Sequence, residues 1–311
     1  MFEEIREFKE KRIGMQDRDI SESYEQLTND YVKYVNNSEF TETQIINISE
    51  DNNNIYQSKF NISLKVINSV NNSELFIIKN LRFHNIKDID KIESIELQIG
   101  GQRVDKIYTE IFPQLRIIFN TYLEDIVPFY LFINGIPKLW WNSIELKLNM
   151  KPNYQNDIKD IKFTIDYYKD LNTCATDADP MPKFPNLHIL TYQIQYCEHN
   201  INSGINNKSM WFNHPIYFII LDKKYNPATL ICNNGEFKAN LYMDNDNIMA
   251  LTPSLTKHEL IKYGINASRV DSIHIQFKAT DDMVGQPFRI YGINTNIFIT
   301  DNGLAGLKYS A

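Results

Sequence analysis

Glycine is scarce in this chain, with 11 in 311 residues. A nucleotide-binding α/β enzyme spends glycines on the loops that cradle phosphates, so the composition leans away from that class. Walker, HExxH and GxSxG patterns are missing as well, which removes the commonest routes to phosphoryl transfer, zinc proteolysis and serine hydrolysis. Cysteine is limited to Cys174, Cys197 and Cys232, an odd set without CxxC spacing. That excludes a disulfide scaffold and suits a protein made in a reducing compartment, so cytosolic synthesis is expected. Basic stripes are absent too. The 32 Lys and Arg are scattered against 39 Asp and Glu, giving a net charge of -7, and no specific nucleic-acid partner is expected. No apolar run approaches the length that spans a bilayer, and the opening MFEEIREFKEKRIGM carries charges where a signal peptide needs an apolar stretch. The expectation is a soluble chain that is not secreted by the usual route.

What is abundant is aromatic and aliphatic material. Hydrophobic residues make up 43% of the chain and aromatics 13%, with 18 Tyr and 18 Phe, enough for a large core and far from the signature of disorder. The length suits two domains better than one. Asn, Ile and Lys recur in stretches such as IINISEDNNNIYQ, a bias that an AT-rich genome explains more readily than folding does. The Asn-x-Ser/Thr sequons then follow by chance.

The first 39 residues are rich in charge, and Phe2, Ile5 and Phe8 recur at a spacing that suits a short amphipathic helix. Two readings stay open: a solvated arm, or an arm that docks on a neighbouring subunit or a membrane surface. From Thr41 onward short strands dominate. Residues 60–66 and 75–77 alternate apolar and polar side chains around a turn cluster at 68–72, and 127–150 and 161–168 read as strands. Helical periodicity is confined to Val104–Leu115 and Lys257–Lys262. The segment TCATDADPMPKFP, residues 173–185, has prolines that neither a helix nor a central strand tolerates, and it marks a domain boundary. Beyond it, 188–196, 215–221, 235–243, 272–278 and 288–299 read as strands again. In the last of these Gly292 shifts the alternation between Ile290 and Ile293, which predicts a bulge or a close backbone approach. An all-β protein of two successive sandwiches is predicted. Patterning alone does not separate a jelly roll from an immunoglobulin-like sandwich.

The clearest single segment is IESIELQIGGQRVDKIYTEIF, residues 92–112. Ile95, Leu97 and Ile99 alternate with polar residues until Gly100-Gly101, where a reversing chain needs positive φ. Chemistry is thin by comparison. Cys197-Glu198-His199 with Cys174 and His188 matches no familiar zinc spacing. Asp244 to Asn247 opens like a calcium loop, yet Leu255 stands where the twelfth-position Glu belongs. Asp281-Asp282 and Asp177 with Asp179 read as loop residues. Neither catalytic residues nor a metal site nor a cofactor is expected.

Residues 99–108 closely resemble the IGGQR-(I/V)-D-K-x-Y segment of the major capsid proteins of nucleocytoplasmic large DNA viruses. Val127-Pro128-Phe129-Tyr130 with the later Pro137 is similar to that family's P-F-W-F region, and FTIDYYKD at 163–170 to its V-D-Y-x-x-L-D strand. Trp211-Phe212-Asn213-His214-Pro215-Ile216 resembles F-N-H-P-V, and FRIYGINTNIFITDNGLAGLKYS at 288–310 resembles the family's terminal strand and tail. These matches run in order to the end of the chain. The resemblance implies two consecutive eight-stranded antiparallel jelly rolls, over residues 40–172 and 173–311 after an arm at 1–39. It also implies a structural protein of the virion, with three copies forming a pseudo-hexagonal capsomer that tiles an icosahedral shell. Partners would be the chain itself, neighbouring capsomers and minor capsid proteins, with an internal membrane beneath the arm as a further partner. Interface geometry would rest on Gly100, Gly101, Gln102, Arg103, Asp105, Pro128, Asn213, His214, Pro215, Gly303, Gly306 and Tyr309.

Two departures stand out. The family's tower-building loops have little room within 100–127 and 243–272, and its G-A-Q-D opening has only a faint echo at Gly14 to Asp17. Both admit a minor or vertex capsid or scaffolding protein of the same fold. A third reading is a β-sandwich module that binds carbohydrate or a receptor through Trp140, Trp141 and Trp211.

Overall fold

The computed structural model describes residues 38–47, 59–63, 76–137, 144–170, 187–223, 225, 228–232, 237–240, 247–251, 265–267, 270–301 and 304–308. These form two compact units, one within 38–191 together with 296–308, the other within 192–295. The expected boundary at 172–173 lies outside the described residues, as do Lys257–Lys262 and the arm up to residue 37.

In the first unit, one sheet has the order β1 (Ser38–Asn47), β8 (Lys162–Asp170), β3 (Phe76–Phe83), β6 (Ile136–Pro137). The other has the order β2 (Lys59–Ser63), β7 (Ile144–Met150), β4 (Ile92–Ile99), β5 (Gln102–Tyr108). All the pairings are antiparallel. The second unit repeats this plan. One of its sheets runs β10 (Ile205–Ser209), β16 (Ile273–Lys278), β12 (Ala228–Cys232), β13 (Phe237–Asn240). The other runs β14 (Ile248–Ala250), β11 (Pro215–Leu221), β17 (Pro287–Asp301), β18 (Leu304–Leu307), with β9 (Leu187–Asn200) on β17 and β15 (Ile265–Asn266) on β11. Taking β9 as a new first strand, the order 1-8-3-6 becomes 9-17-11-14 and 2-7-4-5 becomes 10-16-12-13. Strands that alternate between two sheets, with first and last side by side, define an eight-stranded jelly roll. It occurs twice; β15 is added to the second copy, and β18, with the end of β17 from Asn296 on, extends that copy's sheet while belonging to the first compact unit.

Alternation explains the layers. Along β7 every second residue from Ile144 to Met150 is buried, and β16 buries Ile273, Ile275 and Phe277 while His274 and Gln276 stay half exposed. In the second unit Ile219 and Leu221, Leu230 and Cys232, Ile275 and Phe277, and Phe288 and Ile290 share one core drawn from both sheets. Tyr225, Phe277 and Phe288 meet there with ring centroids 4.4 to 4.8 Å apart. Cys197 and Cys232 are buried and unbridged.

Two expectations, one of helix and one of strand, are corrected. Residues 104–108 of the expected helix over Val104–Leu115 belong to β5, because pairing with β4 satisfies their backbone. Helix α1 covers only Phe112–Ile118, with Pro113 in its first turn, where a missing N–H costs nothing. Within 127–150, read as strand throughout, Tyr130–Asn134 form a short helix α2. Its end is fixed by Gly135 at φ 106° and by the Asn134 amide donating to the Tyr130 carbonyl. Tyr130, Leu131 and Phe132 are all buried, so the segment has no alternating face for a strand to present.

The irregularity foreseen at Gly292 is a close approach. A Cβ there would stand 2.8 Å from the Phe212 ring, and β11 is bulged nearby, between Ile216 and Phe218, where it pairs with β17. Gly292→Ala is expected to cost about 2 kcal/mol through overpacking, measured by urea denaturation against the parent chain.

Candidate functional site

Apart from Pro128, the described residues expected to shape interfaces fall in two places. The first is the β4–β5 hairpin. Gly100 and Gly101 have φ of 60° and 80°, the two successive left-handed residues of a tight two-residue turn whose twist suits its flanking strands. A methyl group added at Gly101 would meet nothing within 4 Å, so backbone conformation, not space, demands glycine there. The ladder shifts register between Leu97 and Gln98, pairing Gln98 with Arg103 and Leu97 with Asp105. Val104 is left as the extra residue, and Val104 and Asp105 are consecutive buried residues. The Asp105 carboxylate accepts from the Lys106 backbone N–H at 2.8 Å. Arg103 is exposed.

Gln102 ties this hairpin to the chain's end. Its Oε1 accepts from the Leu307 backbone N–H at 3.2 Å, across 205 residues of sequence. A Cβ at Gly306 would lie 2.8 Å from the same oxygen. The tail is itself ordered by β17 and β18, with Ile299 opposite Gly306 and the Lys308 N–H donating to the Ile297 carbonyl. Two segments singled out separately in the sequence are therefore one structural feature. Gly303 and Tyr309 lie outside the described residues. Pro128 is buried apart from this feature, flanked by the Val127 N–H to Leu81 carbonyl bond and leading into α2 where a strand was expected.

The second place is the corner Asn213-His214-Pro215 before β11. The Asn213 N–H donates to Gln195 Oε1 at 2.8 Å, and the Asn294 amide reaches the Asn213 carbonyl at 3.4 Å. His214 takes φ 68°, and its carbonyl accepts from the Ala267 N–H, which brings Pro215 opposite Asn266 on β15. Gln195 and Asn294 gave no signal in the sequence, since a polar residue on a strand reads as solvent-facing.

Burial pushes the His214 imidazole below its ordinary value of 6.5. Folding thus favours the neutral ring, and its contribution is complete above about pH 6.5 and is lost as pH falls through the lowered folded value. Asn accepts positive φ without a titrating ring. His214→Asn is expected to lose less stability than the parent between pH 7 and pH 5, read from thermal melts across that range; a parallel loss would contradict this.

Among the described residues no group of three or more His, Cys, Asp or Glu is placed to hold a metal ion. An open cleft of about 500 Å³ beside α1 mixes the apolar Ile86, Ile89 and Ile117 with the charged Lys87, Asp90, Arg116 and Glu124.

No protein-family model and no curated protein matches the chain. Solved structures do. The chain is similar to VP54 of PBCV-1, as fitted into a reconstruction of the virophage Sputnik, with 13% identity, a TM-score of 0.59 and coverage of 88% of this chain and 98% of that one. It is similar to the PBCV-1 virus capsid at 12% identity and a TM-score of 0.52, with the same coverage. The major capsid protein P2 of bacteriophage PM2 aligns at 8% identity and a TM-score of 0.51, over 85% of this chain and all of that one, 100%. With the strand order found twice here, these likenesses settle the architecture: the chain has the double jelly-roll fold, the fold of the viral major capsid proteins it resembles.

Proposed function

We propose that this is a structural capsid protein that self-assembles as trimers, each a pseudo-hexagonal capsomer tiling an icosahedral shell. The observation that carries the reading is the repeat of one strand order in two jelly rolls. Two similar barrels per chain and three chains give six similar corners, which a hexagonal lattice requires of a trimer. The likeness in fold to PBCV-1 and PM2 capsid proteins supports it. Its role is then one of shape. Apolar burial within the trimer supplies the energy, and polar contacts set register between capsomers.

In this reading the rolls are the domains 40–172 and 173–311, and the arm at 1–39 docks on a neighbouring subunit or on an internal membrane. The hairpin at Gly100–Asp105, Pro128, the 213–215 corner and the tail through Gly303, Gly306 and Tyr309 set interface geometry. Partners are further copies and minor capsid proteins, and the location is the virion after synthesis in the host cytoplasm. Electron microscopy of the concentrated protein tests the reading: single particles of hexagonal outline and sheets of them are expected, whereas five-fold rings would make it a vertex protein.

A further inference from the structure

Trp211 is 75% exposed, yet the segment that carries it is closely held. Three alternate residues of β9 each reach an alternate residue of the strap at 209–213. Gln195 Oε1 accepts from the Asn213 N–H at 2.8 Å, the Cys197 sulfur faces the Trp211 backbone N–H, and His199 Nε2 donates to the Ser209 carbonyl at 2.8 Å. The His199 ring also packs on the indole, with centroids 5.7 Å apart. Side chains two apart on a strand share a face, so β9 acts as a rail that fixes the strap while the indole projects into water. Leaving a large apolar ring in solvent on a rigid support forfeits the burial that stabilises other tryptophans, and such preorganised aromatics are what binding sites use.

The surface beside it indicates the ligand. Ser209 pairs with His274, its hydroxyl 3.2 Å from the imidazole Nδ1, and Asn207 and Thr229 both pair with Gln276. Directly paired residues point the same way, so Asn207, Ser209, His274, Gln276 and Thr229 line the outer face of the sheet formed by β10, β16 and β12. They are all half-buried or exposed. The opposite face carries Ile273, Ile275 and Phe277 in the core. The outer stripe offers amides, hydroxyls and an imidazole; Ile231, mostly buried, lies opposite His274 on the same face, and the exposed pair Ile205 and Lys278 closes its far end. A protein partner would be met by an apolar centre with a polar rim. Here a single aromatic plate stands at one end of a stripe of amides, hydroxyls and an imidazole, with the one lysine, Lys278, at the other end, which matches a sugar's apolar C–H face and its hydroxyls.

We propose that Trp211 and this sheet face form a binding site for an uncharged oligosaccharide, one ring stacked on the indole and its neighbours hydrogen-bonded along Ser209, His274 and Gln276. The site stands independently of the capsid reading.

The test uses the full-length protein on an array of defined oligosaccharides, uncharged and sialylated or sulfated, followed by calorimetry with the best binder. Trp211→Ala is expected to weaken binding by about tenfold or more, and Gln276→Ala to weaken it as well, with both melting temperatures close to the parent's. The proposal fails if nothing binds, if only charged glycans bind, or if Trp211→Ala binds like the parent. It also fails if Trp211→Ala lowers the oligomeric mass without touching glycan binding, since the indole then belongs to a contact between copies.

Discussion

Replacing Asp166 by Ala is expected to cost about 3 to 5 kcal/mol, the largest loss foreseen for a single substitution that removes no core apolar side chain. Asp166 sits on β8, central between β1 and β3, with its side chain only 8% exposed. It accepts from Thr43 Oγ1 on β1 at 2.7 Å, and from Asn80 Nδ2 at 2.9 Å and the Arg82 guanidinium at 2.6 Å on β3. Those donors arrive because β3 is irregular. Its register against β8 shifts between Lys79 and Arg82, with Asn80 at φ 54°, so Asn80 and Arg82 both reach the carboxylate. Removing the carboxylate strands a guanidinium that is 26% exposed and two neutral donors. Asp166→Asn keeps the shape and one acceptor oxygen but loses the charge, and it is expected to recover part of the loss. Urea titrations of the parent and both variants give the ranking, and an Ala variant within about 1 kcal/mol of the parent would contradict it.

The second large effect lies at the β4–β5 turn. Gly100→Val with Gly101→Val forces two β-branched residues into left-handed backbone at φ 60° and 80°, at roughly 1 to 2 kcal/mol each, and about 3 kcal/mol for the pair is expected. A control separates conformation from any loss of space: Gly100→Asn alone leaves Asn-Gly, the preferred pair for such a turn, and is expected to fold with undiminished stability. The double variant should also loosen the chain's end, because Gln102 follows the turn and holds Leu307. Faster hydrogen exchange at the Leu307 amide is the accompanying readout.

This turn is legible in the sequence because it is local. A strict period of two followed by two glycines has few other solutions. The strands at 92–99, 162–170, 215–221, 273–278 and 287–301 are legible for the same reason. Their order is not, since β1 pairs with β8 and β9 with β17 across long intervals that periodicity does not register. Helix α2 escapes sequence reading because a run such as Tyr130-Leu131-Phe132, buried all round, carries neither helical nor strand periodicity. The Asp166 cluster depends on the irregularity at Asn80, which turns an ordinary Asn into a ligand of the carboxylate. Gln102 and Gly306 each stand out for their wording, and only folding brings them within reach of each other. Trp211 stands out as a tryptophan, whereas the rail of Gln195, Cys197 and His199 that presents it becomes visible once β9 is known to be a strand.

The most direct test of the capsomer account is the solution mass of the purified full-length chain, by light scattering coupled to size exclusion. One chain is 36.6 kDa. The account predicts a stable trimer at three times that mass, persisting on dilution through the micromolar range. A strict monomer at high concentration would contradict it.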